Sequence, residues 1–178
     1  MRRLAVLLRA VNVGGTGRLA MADLKAVLAG LGFADPATLG AAGSAVIATD
    51  AEPGTVETQL EAALGDSFGL ATEVFVRSHR ELRSVLAANP FVDMARDQPS
   101  RLLVLFLKGE PAAPDVAALR ERIVGAEEVH EGPRSLYVAY GEGMGSSKLT
   151  GQVIERALSL RGTGRNWNTV GKLAELTA

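Results

Sequence analysis

A glycine-rich segment near the amino terminus has the residue types that bind anions. It reads NVGGTGR at residues 12–18 and lies between a predicted strand and a predicted helix. Backbone N–H groups, a helix amino terminus and the Arg18 guanidinium would all attract negative charge. Residues 15–20 also fit the loosened dinucleotide fingerprint G-x-G-x-x-A. A nicotinamide site is disfavoured, because the next strands are predicted to form a hairpin and a dinucleotide fold needs a parallel crossover. The alternative is a glycine turn with a solvated arginine.

A second glycine-rich segment, GEGMGSSK at residues 141–148, also joins a predicted strand to a predicted helix. The phosphate-binding spacing G-x-x-x-x-G-K-[ST] fails, since Ser147 precedes Lys148 and Leu149 follows it, so ATP hydrolysis is disfavoured. We expect Ser146 or Ser147 to cap the following helix. A weak anion site at this helix start is the alternative.

The carboxyl-terminal stretch 144–178 is basic. It carries five basic and two acidic residues, a local charge of +3, whereas the whole chain has a net charge of −1. Its tryptophan lies in the string RNWNT at residues 165–169. An aromatic ring beside basic and amide side chains can stack a nucleic-acid base and hold phosphates. We favour the alternative, in which Trp167 anchors the core and Asn168 or Thr169 caps the last helix, because only 4% of the chain is aromatic.

Composition limits the classes of site that this chain can form. The 178 residues include no cysteine, which excludes disulfides, a cysteine nucleophile and cysteine-ligated metals. Two histidines are too few for a histidine-rich centre, and we predict no metal site. Arg9 ends the first apolar run too early for an export signal, and no run approaches the roughly 20 residues of a membrane span. These features predict a cytoplasmic protein without a membrane partner.

The periodicity of apolar residues predicts an α+β fold that positions these segments. The predicted strands are 4–11, 38–42, 45–49, 71–76, 102–108, 127–131, 135–140 and 164–167. The predicted helices are 21–31, one opened by Pro53, 79–88, 115–124, 148–160 and 169–176. The order is β-α-β-β-α-β twice, the split ferredoxin-like motif. We therefore predict two ferredoxin-like subdomains, with an extra helix between them and one at the carboxyl terminus.

The predicted boundaries are 1–77 for the first lobe, 78–100 for a linking helix and Asn-Pro-Phe loop, and 101–178 for the second lobe. The repeat is one of topology and length, without sequence identity between the halves. Ser78 is expected to cap the linking helix with Glu81 at the capping-box position.

Several strings resemble the DUF1697 family of uncharacterised bacterial proteins. They are LLRAVNVGG at 7–15, MADL at 21–24, LGF at 31–33, NPF at 89–91, SKLT at 147–150 and RNWNTV at 165–170. The resemblance covers nearly the whole chain and implies two ferredoxin-like subdomains. It implies no activity, substrate or cofactor.

The chain departs from the family pattern in the first hairpin. Where the family usually has Tyr-x-Gln-Ser-Gly-Asn, this chain has LGAAGS at residues 39–44, so that only Gly43 keeps its identity. If the family site uses that Tyr, Gln and Asn, this protein has lost three hydrogen-bonding side chains. It would then bind a different ligand or be inactive.

The first functional hypothesis is the binding of a small anionic or nucleotide-like ligand, in a cleft between the lobes. The candidate ligand-binding residues are Arg9, Asn12, Gly14, Gly15, Arg18, Lys148, Arg165, Asn166, Trp167 and Asn168. Binding of single-stranded nucleic acid is one alternative. A structural role, as a homodimer paired through an exposed sheet edge, is another. The sequence assigns no catalytic residue and no cofactor.

Overall fold

The apolar run that begins the chain becomes the central strand of the first of two sheets. The computed structural model describes residues 1–12 and 17–178. The first lobe comprises Met1–Leu82 and Leu173–Ala178. Its elements are β1 (Arg2–Leu8), α1 (Met21–Gly30), β2 (Ala34–Leu39), β3 (Ser44–Thr49), α2 (Pro53–Phe68) and β4 (Val74–Ser78). The strands form one antiparallel sheet in the order β2-β3-β1-β4.

The second lobe, Arg83–Lys172, has the same arrangement. Its elements are β5 (Leu102–Leu107), α5 (Ala113–Arg122), β6 (Glu127–Gly132), β7 (Ser135–Tyr140), α6 (Gly151–Leu158) and β8 (Gly162–Asn166). The strand order is β6-β7-β5-β8, again antiparallel. The prediction of two ferredoxin-like lobes is confirmed.

Three further helices complete the described residues: α3 (His79–Ala87), α4 (Val92–Asp97) and α7 (Trp167–Leu176), with a 3-10 turn at Pro99–Arg101. The predicted capping box opens α3, since Ser78 N donates to Glu81 Oε2 at 2.8 Å and Glu81 N donates to Ser78 Oγ at 3.2 Å. The short α4 was not expected from the sequence. No helix in the described part of the chain has the length and apolar character needed to cross a membrane.

Each core lies between a sheet and its two crossover helices. In the first lobe, Leu4, Val6 and Leu8 of β1 belong to one buried cluster with residues of α1 and α2. The intervening Ala5 and Leu7 are also fully buried. Both faces of this strand are therefore covered, which explains why it reads as a continuous apolar run rather than as an alternating one.

The two lobes repeat one another in side-chain roles as well as in topology. Glu61 of α2 accepts a hydrogen bond from the first amide of β4, Val74 N, at 2.8 Å. Glu155 of α6 accepts the equivalent bond from Gly162 N, the first amide of β8, at 2.9 Å. In each lobe one carboxylate thus ties the second crossover helix to the start of the last strand. Corresponding residues and loops of the two lobes can therefore be compared directly.

Candidate ligand-binding site

The chain leaves β1 through two residues with left-handed backbone. Ala10 and Asn12 both have φ of 55°. The region costs an alanine roughly 1–2 kcal/mol, whereas asparagine tolerates it better. Asn12 N donates to Gly17 O at 3.0 Å. Gly14 and Gly15, both predicted to bind ligand, lie outside the described residues. Backbone held in a sparsely populated region tends to occur at ligand sites.

The side chain of Asn12 holds this loop together. Its Nδ2 donates to Leu19 O at 2.7 Å and to Ala41 O at 2.9 Å. Its Oδ1 accepts from Leu19 N at 2.9 Å. Sequence reasoning placed Asn12 among the ligand-contacting residues. Because its donors and acceptor already bind the protein, the structure gives it the role of positioning the loop.

The cationic residues of the loop differ in their surroundings. Arg9 is half-buried, and its backbone N donates to Glu73 O at 2.9 Å. Arg18 is exposed and has neither an ion-pair nor a hydrogen-bond partner for its guanidinium among the described residues. Residues 1–22 contain four arginines and no acidic residue. The described residues also contain no group of three or more His, Asp or Glu side chains arranged to hold a metal. The loop therefore favours an anion over a cation.

The altered hairpin lies against this loop. Besides the bond from Asn12 to Ala41 O, Gly43 packs under the loop: a Cβ there would lie 2.5 Å from Val11 Cγ2 and 2.8 Å from Leu8 Cβ. Two segments that the sequence singled out independently are thus adjacent in the first lobe. Ala41 and Ala42 are exposed at the turn and carry no polar side-chain group.

Both glycine-rich loops are longer than their counterparts in the other lobe. The connection from β1 to α1 has twelve residues, 9–20, whereas that from β5 to α5 has five, 108–112. The connection from β7 to α6 has ten residues, 141–150, whereas that from β3 to α2 has three, 50–52. Since the same topology closes with the shorter connections, chain connectivity does not require the additional residues.

Arg165 is a buried strand residue. Only 6% of it is exposed, and its Nη1 donates to Thr163 Oγ1 and Gly164 O, each at 2.8 Å. Burial lowers the pKa of Arg165 to about 10, so that the side chain keeps its charge at neutral pH. Its position in β8 is that of Arg77 in β4: Arg165 pairs with Val104 and Arg77 with Ala5.

Arg77 is the residue that sequence reasoning missed. It is 1% exposed, and its Nη1 donates to Val76 O at 3.0 Å. The string VFVR carries no local signal of this burial, because an arginine that follows apolar strand residues is usually assigned to the solvent face. A buried arginine near the end of the last strand is therefore a property of both lobes.

The other predicted residues of the second lobe have structural contacts or exposed positions. Asn166 caps α7, since its Oδ1 accepts from Thr169 N at 3.0 Å. The expectation that Asn168 or Thr169 would cap this helix is wrong, because the helix begins earlier, at Trp167. Trp167 is half-buried and Asn168 is exposed. Lys148 is exposed in the loop before α6.

Comparisons with known proteins identify one family and a similar solved structure. The model of the family described as "Protein of unknown function (DUF1697)" matches residues 1–137. No curated protein matches the chain. Among solved structures, the conserved bacterial protein SP0830 from Streptococcus pneumoniae is similar, with 18% identity, 99% of each chain covered and a TM-score of 0.72. At this identity the likeness concerns the fold alone.

Proposed function

The chain belongs to the DUF1697 family, and we propose that it binds a small anionic or nucleotide-like ligand at loop 9–20 of its first lobe. The observation that carries the proposal is the length of this loop, twelve residues where the second lobe needs five. Binding residues concentrate on such loops, because a rigid scaffold positions them while the loop itself is free to vary.

The charge of the loop favours an anionic group in the ligand. Arg18 is exposed without a partner among the described residues, and no acidic residue lies within 9–20 to compete for it. A guanidinium matches a phosphate or a carboxylate with two parallel hydrogen bonds. Arg18 is therefore the residue expected to contact the anionic group directly.

The neighbouring hairpin limits how the rest of the ligand is recognised. Ala41 and Ala42 offer only backbone polar groups at the exposed turn, and Ala41 O already accepts from Asn12. Ala41 and Ala42 supply no side-chain donor or acceptor that could select among ligand bodies, so we expect a tolerance for different bodies attached to the same anionic group. Phosphate-bearing compounds of different size should bind with similar affinity.

A thermal-shift screen tests the proposal. Inorganic phosphate, nucleoside mono- and triphosphates, sugar phosphates and dicarboxylates are added to the full chain. A ligand at about 100 times its Kd stabilises the folded state by about 2.7 kcal/mol, which is a shift of several degrees in Tm. The shift should be lost in Arg18→Ala and kept in Arg156→Ala, an exposed arginine of α6. The absence of any stabilising compound, or a shift that Arg18→Ala leaves intact, would overturn the proposal.

A second variant separates the position of the loop from its charge. Asn12→Ala removes the acceptor for Leu19 N and the donors to Leu19 O and Ala41 O without changing the charge of the loop. We expect weaker binding although Arg18 is unchanged. Isothermal titration with the best compound of the screen measures this loss. An unchanged affinity would show that the ligand does not depend on the position of this loop.

A further inference from the structure

The long loop of the second lobe, 141–150, is firmly tied to its own sheet. Tyr140 Oη donates to Leu149 O at 2.8 Å, and Arg101 Nη1 donates to Gly141 O at 2.8 Å. Ser147 Oγ donates to Glu127 Oε1 and accepts from Leu149 N at 3.0 Å. These bonds fix the backbone on both sides of Lys148. The loop therefore presents the exposed Lys148 side chain from a fixed position.

A small cleft lies between this loop and the end of α5. Its volume is about 40 Å³, and it is lined by Arg122, Ile123, Val124, Glu127, Lys148, Leu149 and Val153. Leu149 is buried and Ile123 half-buried, so they form an apolar floor. Val124 is 80% exposed and Val153 is 38% exposed. Exposed aliphatic side chains beside an apolar cleft are a common feature of surfaces that bind other proteins.

Two cations flank the cleft without internal partners. Arg122 and Lys148 are both exposed, and neither side chain has an ion pair or hydrogen bond within residues 1–12 and 17–178. Glu127 is the acidic residue in the lining, and its carboxylate already accepts from Ser147. The Ser147 hydroxyl lowers the pKa of Glu127 below its ordinary value. The two cations are thus available to carboxylates from outside.

The volume of the cleft decides between a metabolite and a side chain as its occupant. Sites for small molecules usually measure about 300–1,000 Å³ and enclose most of the ligand. A cleft of about 40 Å³ instead has room for the end of one aliphatic side chain. An anchor of this kind, surrounded by polar contacts, is how a peptide segment docks on a protein surface.

We propose that this cleft docks an acidic peptide segment of a partner protein, with one aliphatic side chain on the floor of Ile123 and Leu149 and its carboxylates on Arg122 and Lys148. The surface is separate from loop 9–20 and uses different residues. The two proposals can therefore succeed or fail independently. Complementary charge would speed the encounter and set the preference for acidic segments, while the apolar anchor would slow dissociation.

Fluorescence anisotropy with labelled peptides tests the proposal on the full chain. The probe has one leucine flanked by glutamates, and two matched peptides replace either the leucine by serine or the glutamates by lysine. We expect the first probe to bind at least tenfold more tightly than either control. The double variant Arg122→Glu with Lys148→Glu should weaken the probe at least tenfold. The variants Lys25→Glu and Arg83→Glu, which reverse exposed charges on α1 and α3, should leave it unchanged.

The contradicting outcomes are equally specific. Equal affinity for all three peptides, or no loss in the double variant, would overturn the proposal. If a single-stranded oligonucleotide displaces the peptide, and if the double variant no longer binds that oligonucleotide, the surface would be assigned to nucleic acid instead. A dimer in light scattering that dissociates in the double variant would assign it to a second copy of the chain. Val124→Ser, which alters an exposed side chain, should also weaken the leucine probe, while thermal unfolding of the variant should match that of the parent protein.

Discussion

Gly43 connects the altered hairpin with the candidate ligand loop at the scale of a single residue. Its φ of 81° is left-handed, and a Cβ would approach Val11 Cγ2 and Leu8 Cβ to 2.5 and 2.8 Å. Two independent requirements, backbone conformation and space, therefore exclude any side chain here. This is a physical reason for a glycine at this position, whatever ligand the neighbouring loop binds.

Replacing Gly43 by alanine separates these two requirements when a second glycine is used as reference. Gly40 also has a left-handed φ, 67°, but a Cβ there meets nothing within 4 Å. We expect Gly40→Ala to cost about 1 kcal/mol for the backbone alone. Gly43→Ala should cost about 1–3 kcal/mol more, because Val11 and Leu8 must move. Urea unfolding measures both values. Equal losses would show that the hairpin and loop do not pack as closely as described.

Asn12 and Arg77 show which residue roles a sequence can and cannot reveal. Asn12 was identified from its place beside glycines, but its role in bracing the loop depends on Ala41, which lies 29 positions further along the chain. Arg77 was missed because a charged residue in a strand is usually assigned to the solvent face. Only the pairing of β4 with β1 reveals that Arg77 is buried. Contacts distant along the chain decide both cases.

At the scale of elements, most strands and helices were predictable because each has its own apolar period. The exceptions have local physical causes. The helix α6 begins at Gly151 rather than Lys148, because Thr150 caps it and Ser147 is bound to Glu127 of β6. The prediction of Ser146 or Ser147 as its cap is wrong. Ser146, Ser147 and Thr150 are equivalent as cap candidates in the sequence, and a tertiary contact chooses between them.

The start of α6 gives a prediction of its own. Thr150 Oγ1 accepts from Val153 N at 3.4 Å, the single side-chain bond that caps this helix. Thr150→Ala should lower the free energy of unfolding by about 0.5–1 kcal/mol, the lower part of the range for lost caps. Ser146→Ala, at an exposed residue without a hydroxyl bond among the described residues, should have no effect. A loss in Ser146→Ala equal to that in Thr150→Ala would place the helix start where the sequence pattern had it.

Side-chain sizes on the last strand and the central strand of each sheet compensate one another. In the first lobe Val76 pairs with Val6, whereas in the second lobe Gly164 pairs with Leu105. A Cβ on Gly164 would lie 3.0 Å from Leu103 Cδ2, a tight contact beside the larger central leucines. The repeat therefore conserves packing rather than sequence.

The sheet edges bear on the hypothesis of a dimer formed by edge pairing. In β2, Asp35 has φ of 48° and the register shifts between Ala34 and Ala37, next to Pro36. In β6 the edge carries Glu127, Glu128 and Glu131. Bulges, prolines and charges on edge strands oppose pairing with another chain. The edges formed by β2 and β6 therefore oppose pairing with a second copy of the chain, and β4 and β8 form the opposite edge of each sheet.

At the scale of the whole molecule, the tyrosine and tryptophan side chains are distributed unequally between the two lobes. Both tyrosines, Tyr137 and Tyr140, lie in β7, and the chain's tryptophan begins α7 at a residue of the second lobe. Tyrosine absorbance and tryptophan fluorescence consequently report on the second lobe, whereas far-ultraviolet circular dichroism reports on both. Comparing these signals distinguishes the unfolding of one lobe from the unfolding of the chain.

Alkaline titration should unfold the second lobe first. Burial raises the pKa of Tyr137 and of Tyr140 to about 12, from 10 in the unfolded chain. The neutral phenols donate to Val85 O and Leu149 O. A raised folded-state pKa means that the stabilisation is complete below pH 10 and is lost as the pH rises to about 12. Each tyrosine accounts for roughly 3 kcal/mol at most across this window. Arg165, whose pKa burial lowers to about 10, contributes a change of similar size and opposite sign, which the two tyrosines together outweigh. The first lobe contains no tyrosine.

We therefore expect tryptophan fluorescence to change at a lower pH than part of the circular dichroism signal, giving two transitions above pH 10. The variant Tyr137→Phe loses the titrating group at the cost of one hydrogen bond, about 1 kcal/mol at neutral pH. Its fluorescence transition should then lie closer to the transition of the first lobe. Coincident curves for fluorescence and circular dichroism in the parent protein would mean that the lobes unfold as one cooperative unit, because the loss of stability in one sheet would then be transmitted to the whole chain.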